Sequence, residues 1–253
     1  MTSPSLGWAF LNDFSMSNSY FQFKQFRIDQ HFSALKVGTD GVLLGSWCNV
    51  EDAKMVLDIG CGTGLIALMV AQRNPEALIK AIDISSEAIK DCEANFYNSP
   101  WQQRVTSQEI SLQEFYASSM EQFDLVVCNP PYFKNSLKSE KGNKNLARHD
   151  DSLPFSLLLE LASRLLRAKG RISIIIPYER AAEAISIAKI NNLNLSRNCS
   201  VYSTINSPEP IRALLEFRKT MQEAQVETLS IEIERHRYTD EYIQLTKEFY
   251  LKM

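Results

Sequence analysis

The feature that most restricts the fold is a change of rhythm at residue 55. From there, short apolar runs alternate with amphipathic or Ala/Leu-rich stretches. The runs cover 55–59, 78–82, 104–108, 124–128 and 171–176, and the helical stretches lie near 63–73, 86–97, 154–168 and 178–190. Strands alternating with helices imply a parallel sheet with helices on both faces. The runs have few polar interruptions, as strands buried on both faces require. The last third departs from this pattern. Residues 193–201 and 211–218 are strand-like, with the turn segment SPEP and no helix between them. They are expected to pair antiparallel at one edge of the sheet. Residues 226–234 (VETLSIEIE) alternate again, and Thr239 is placed to cap a final helix with Tyr242, Leu245 and Phe249 on one face.

Upstream, residues 1–19 are polar, Ser-rich and aperiodic, and read as a loose end. Phe21, Phe23, Phe26 and Ile28 alternate imperfectly with polar residues, which fits a short hairpin with Lys24 and Arg27 exposed. In KVGTDGVLLGSW, Thr39 or Asp40 is placed to cap a helix running to Trp47. Residues 20–253 are expected to form a single domain, since a chain of this length can bury one substantial core.

Composition narrows the field further. Lys and Arg number 27 against 30 Asp and Glu, a net charge of −3, so any nucleic-acid contact must use a local basic patch. The five cysteines show no C-x-x-C spacing and read as buried free thiols, with no metal site expected. The N-terminus lacks the pattern of a secretory signal, and no apolar run approaches the roughly 18 residues a membrane span needs. A cytoplasmic protein with no membrane partner is the expectation.

Asp58-Ile59-Gly60-Cys61-Gly62-Thr63-Gly64 follows a predicted strand and opens a predicted helix. Ligands in open α/β sheets bind at the carboxyl ends of strands, where this turn lies. Glycines let a ligand approach the backbone closely. The dinucleotide pattern requires Gly or Ala at position 65, and the chain has Leu65, which argues against pyrophosphate. A cationic, methionine-linked nucleoside fits better, with Asp58 attracting its ammonium end. Asp83 ends the next apolar run, where a carboxylate can accept both ribose hydroxyls or simply cap the helix that follows.

The run 124–128 leads into Asn129-Pro130-Pro131-Tyr132. Two consecutive prolines stiffen the turn, and the first constrains Asn129 to an extended conformation. An exocyclic amine is a weak nucleophile because its lone pair is delocalised. The Asn129 side-chain oxygen and the Pro130 carbonyl can each accept one of its N–H bonds, aim the lone pair and stabilise the positive charge that develops. Tyr132 can stack on a planar substrate. Behind the turn, Lys134, Lys138, Lys141, Lys144 and Arg148 crowd one segment with a single acid, Glu140. These five and His149 are the candidate contacts to RNA phosphates.

In this order the motifs resemble the class I, Rossmann-like methyltransferases. With KVGTDGVLLGSW, CNPPYF and LARHD (146–150), the chain is similar to the bacterial tRNA1(Val) (adenine(37)-N6)-methyltransferase family over roughly residues 20–250. The resemblance implies a seven-stranded, mostly parallel sheet with one antiparallel edge strand and helices on both faces. It implies S-adenosylmethionine as methyl donor and the N6 amino group of an adenine next to a tRNA anticodon as acceptor. Gly38, Thr39 and Asp40 would then fold over the cofactor, alongside Asp58, Gly60, Gly62, Gly64, Asp83 and Asn129. Many relatives carry an Asp that bonds the cofactor's adenine. Here Ser111 stands near that position with Glu109 two residues earlier, and either, or a backbone carbonyl, is left to serve. The rivals are the same chemistry on protein glutamine or DNA adenine, and a non-catalytic cofactor-binding RNA module. About 50 residues precede the glycine loop, too few for the N-terminal helical domain usual in glutamine methyltransferases, and no target-recognition domain of the DNA enzymes is expected. An intact Asn129 and Asp83 argue against the non-catalytic module.

Overall fold

A computed structural model describes residues 19–130 and 153–253. The hairpin is present as β1 (Tyr20–Gln22) and β2 (Arg27–Asp29), paired antiparallel. Helix α1 (Thr39–Trp47) follows, but neither Thr39 nor Asp40 caps it. Its N-cap is Gly38, which has no side chain to cap with, and Asp40 is paired with Arg212 instead. Then β3 (Met55–Ile59), α2 (Leu65–Arg73), β4 (Leu78–Asp83), α3 (Ser86–Tyr97) and β5 (Val105–Glu109) alternate as the apolar runs predict. A short helix, α4 (Leu112–Ser118), occupies a stretch expected to be loop. Ser111 and Glu114 close a reciprocal capping box at its start, which satisfies two helix-end donors.

The remainder is β6 (Phe123–Cys128), α5 (Phe155–Leu165), β7 (Leu166–Pro177), a 3-10 turn (Tyr178–Arg180), α6 (Ala181–Ile190), β8 (Asn194–Thr204), β9 (Arg212–Arg218), β10 (Gln225–Glu234), β11 (Arg237–Tyr238) and α7 (Asp240–Thr246). The sheet runs β11-β10-β8-β9-β7-β6-β3-β4-β5. The expected seven strands are its β8-to-β5 portion. The antiparallel strand is β9, which lies between β7 and β8 and pairs antiparallel with both. The β8–β9 pair therefore forms as expected but does not end the sheet. The alternating segment β10 adds parallel to β8, and β11 adds antiparallel to β10.

Side chains alternate between two cores, as strand geometry requires. Val56, Leu125, Val127 and Ile175 face α1, α2, α3 and the hairpin, while Leu57, Val126, Ile172 and Ile174 face α4, α5 and α6. Thr239 caps α7 through its side chain, and Tyr242 and Phe249 are buried against β10 and the hairpin, with Leu245 partly buried. The five cysteines are free and buried. Among the described residues no helix is long and apolar enough to cross a membrane.

Candidate active site

The glycine loop is held by its own backbone. Gly60 and Cys61 N–H both donate to the Ile82 carbonyl (2.8 and 3.1 Å), and Gly64 N–H donates to Cys61 (2.9 Å). Gly60, Gly62 and Gly64 have φ of 67°, 55° and 80°, a region that side chains resist. A Cβ added at Gly60 or Gly62 would meet nothing within 4 Å, so the loop leaves open room above those two residues. At Gly64 the reverse holds: a Cβ would stand 2.5 Å from Phe96 and 2.8 Å from Cys92. Gly64 therefore serves packing against α3, while Gly60 and Gly62 leave their faces open.

Two carboxylates flank the loop in different states. Asp83 is half-buried and fully engaged: Oδ2 accepts Gly62 N–H at 2.9 Å and Oδ1 accepts Ser85 N–H at 2.9 Å. Asp58 is wholly buried below the loop. Its Oδ2 accepts Ala67 N–H at 3.1 Å, while Oδ1 has no hydrogen-bond partner among the described residues. Burial pushes its carboxyl up to about 7; the Ala67 N–H opposes the rise and the Asp83 charge adds to it.

A cavity of about 610 Å³ opens beside the loop. Its walls bring together Gly38, Thr39 and Asp40 from the start of α1, Gly60 and Gly62 from the loop, and Asn129 and Pro130 after β6. Residues 35–37 and Ile231 of β10 also line it. So do Ile211 and Arg212 at the start of β9, because an antiparallel β9 brings its first residues to the carboxyl ends of its parallel neighbours. Asp58, Gly64, Asp83 and Ser111 do not line it. Ser111 instead spends its hydroxyl on the α4 cap, accepting Glu114 N–H and donating to Glu114 Oε2. Glu109 is exposed and pairs with Asp83 across β4 and β5. Tyr132, Lys134, Lys138, Lys141, Lys144, Arg148 and His149 lie outside the described residues.

Sequence reasoning missed two groups. Arg212 Nε donates to Asp40 Oδ2 at 2.8 Å across a separation of 172 positions, and nothing local announces that pairing. Asp91 and Asn95 sit on the buried side of α3; Asp91 engages the segment after the hairpin, and Asn95 engages Asp29 at the end of β2. Their signal was available: two polar residues four apart, among Ala88, Ile89, Cys92 and Phe96, on a face that should be apolar. Among the described residues no group of three His, Cys, Asp or Glu side chains is placed to hold a metal.

Comparison with known proteins fits this geometry. The family model described as a methyltransferase small domain matches residues 28–202, which defines the class. A predicted O-methyltransferase from Agrobacterium tumefaciens shares the fold with a TM-score of 0.63 at 18% identity, covering 83% of this chain and 96% of that one. A ribosomal protein L11 methylase from Lactobacillus delbrueckii subsp. bulgaricus does so at 0.51 and 19%, covering 76% and 84%. Two sequence relatives are much nearer. The tRNA1(Val) (adenine(37)-N6)-methyltransferase of Phocaeicola vulgatus is 45% identical over 239 residues, 94% of this chain and 100% of the relative. That of Aliivibrio salmonicida is 39% identical over 236 residues, 93% and 99% of the two. The chain belongs to the tRNA1(Val) (adenine(37)-N6)-methyltransferase family, whose methyl donor is S-adenosylmethionine.

Proposed function

We propose that this enzyme transfers a methyl group from S-adenosylmethionine to the N6 amino group of adenine 37, next to the anticodon, in tRNA1(Val). The observation that carries the proposal is that Asn129 and Pro130 share one cavity with the glycine loop, in a chain matched over 94% of its length by a relative of that name. The residues fit the cofactor. Gly60 and Gly62 leave their faces open, and the unpartnered, buried Oδ1 of Asp58 suits an ammonium donor. Asp83, at the carboxyl end of β4, carries the carboxylate to accept ribose hydroxyls, and Gly38, Thr39 and Asp40 at the start of α1 line the cavity. Glu109 ends β5 and Ser111 follows it, at the end expected to meet the adenine.

Bound S-adenosylmethionine supplies an electrophilic methyl group on a positively charged sulfur. The chain's part is to prepare the nucleophile. Asn129 accepts one N–H of the target amine through its side-chain oxygen, and the Pro130 carbonyl accepts the other. Together they turn the lone pair out of conjugation and stabilise the charge that forms on nitrogen. Proximity within a shared cavity supplies much of the remaining acceleration. No base is needed before transfer, because the amine loses its extra proton after the new N–C bond forms. Tyr132 stacks on the adenine, and the basic residues Lys134, Lys138, Lys141, Lys144 and Arg148, with His149, meet the phosphates of the anticodon arm. A tRNA substrate places this work in the cytoplasm.

Incubation with labelled S-adenosylmethionine and total tRNA, followed by nucleoside analysis, tests the proposal. N6-methyladenosine in one valine tRNA is expected. Label found only in protein or DNA would overturn it.

A further inference from the structure

Between the hairpin and α1, residues 30–37 form a loop that is unusually well braced for a connector. The carboxylate of Asp91, only 2% exposed, accepts three successive backbone N–H groups, from His31 (3.2 Å), Phe32 (2.9 Å) and Ser33 (2.7 Å). Asn95, 1% exposed, accepts Asp29 N–H at 2.7 Å and donates to the carbonyls of Asp29 (2.8 Å) and Thr63 (2.9 Å). Thr63 is part of the glycine loop and lines the cavity, so one side chain couples the end of β2, where loop 30–37 begins, to the glycine loop. Gln30 ties the loop's ends: its Oε1 accepts Val37 N–H at 2.8 Å, and its carbonyl accepts Lys36 Nζ at 2.5 Å. Burying a carboxylate is costly unless several donors meet it, and here backbone donors do.

This rigid loop turns its large apolar side chains outward. Phe32 is 61% exposed and Leu35 is 65% exposed. Leu35 and Lys36 run on into the cavity wall that also holds Asn129. Holding a phenyl ring in water on a fixed backbone gains nothing for folding, which points to a partner that covers it. Two side chains are far too little for a stable protein interface, which needs about 800 Å² from each partner. They suit unpaired nucleotides, which stack on aromatic faces while cations meet their phosphates. Cations lie on the same stretch of chain: Lys36 on the loop, its ammonium on the Gln30 carbonyl, and Arg27 on the neighbouring hairpin, paired with Asp29 and lying 3.9 Å over the Tyr20 ring.

We propose that the braced loop 30–37 is a docking surface for the unpaired RNA nucleotides beside the target base, with Phe32 as the stacking platform. The proposal rests on the reading of tRNA as substrate. Asp91 and Asn95 act as positioning residues that keep the platform in register with the cavity.

The test is steady-state methylation by the full chain, with transcribed valine tRNA and S-adenosylmethionine varied separately, for wild type, Phe32→Ala and Phe32→Trp. Losing one base stack predicts a rise in the tRNA KM of roughly five- to a hundredfold in Phe32→Ala. The KM for S-adenosylmethionine and kcat at saturating tRNA should stay within about twofold, and Phe32→Trp should restore the wild-type tRNA KM. A wild-type tRNA KM in Phe32→Ala overturns the docking surface, as does a parallel rise in the cofactor KM. A change in sedimentation of Phe32→Ala with the tRNA KM unaltered would assign the ring to self-association and overturn it too. A wild type that methylates no tRNA would instead sink the functional reading on which this one stands.

Discussion

The centre of the sheet and its far edge are held by different physics. At the centre, β3 and β6 are buried almost throughout, and the glycine loop is fixed by backbone bonds to the adjacent β4. At the edge, β10 buries little beyond Leu229. It is anchored by its ladder to β8, by α7, and by a polar node in which Trp47 Nε1 donates to Glu227 Oε2 at 3.1 Å across 180 positions. Arg197 completes that node, pairing with Glu227 at 3.2 Å and lying 4.1 Å over the Trp47 ring. The proposed chemistry lies at the centre, on strands buried on both faces. The edge lends the cavity Ile231 and tolerates more. Substitutions should therefore hurt in that order.

The largest effect is expected at Gly64. Its φ of 80° would strain any side chain by roughly 1–2 kcal/mol, and overpacking against Phe96 and Cys92 adds about 1–3 kcal/mol. Gly64→Ala should lower the urea midpoint by the equivalent of roughly 2–5 kcal/mol at unchanged m, whereas Gly60→Ala, with open space above it, should carry only the backbone strain. Equal losses in the two variants would break the distinction between a packing glycine and one with an open face.

Next comes Asn129, which bears on rate rather than on folding. Asn129→Ala should lower methyl transfer by about two to three orders of magnitude, or roughly 3–4 kcal/mol. Cofactor affinity, read by titration calorimetry, should hardly move. Wild-type turnover in this variant would remove the residue from the mechanism.

These centres were legible because their signals are local. Apolar runs at 55–59, 78–82 and 124–128 mark strands whose neighbours are their near successors, and the glycines follow within a few residues of Asp58. Helix α4 went unread although Ser111 and Glu114 spell a capping box, because the stretch is too short for helical periodicity to show. Strand β7 begins at Leu166, before the apolar run, because Arg167 and Lys169 are exposed and break the pattern. The Asp40–Arg212 and Trp47–Glu227 pairings had no local trace at all. They exist only once β9 and β10 take their places in the sheet.

Asp58 offers a smaller, pH-dependent contrast. Burial pushes its folded carboxyl up to about 7 from the ordinary 3.8, so between those values the folded state holds a proton that the unfolded state has released. This group's contribution is therefore fully present below about pH 4 and is lost as pH rises through 7. The slope is at most about 1.4 kcal/mol per pH unit. Urea midpoints of the cofactor-free protein at pH 5 and pH 7 should fall further for wild type than for Asp58→Asn. A wild-type-to-variant difference that does not change with pH would show that burial fails to raise the group.

The smallest effect should come from the edge. Glu227 and Arg197 have side chains 39% and 20% exposed, so water screens much of their attraction. Glu227→Gln keeps an acceptor for the Trp47 indole and removes only the charge, and should cost about 0.5 kcal/mol, shrinking further in 1 M salt. Glu227→Ala also strips the acceptor from an indole in a residue only 6% exposed, and should cost about 1–3 kcal/mol. Neither should alter kcat, because the node touches β10 well before Ile231. If Glu227→Gln alone lost several kcal/mol, the edge would be held by charge in a water-excluded site. It would then be as intolerant as the centre, and the contrast between the two regions would fail.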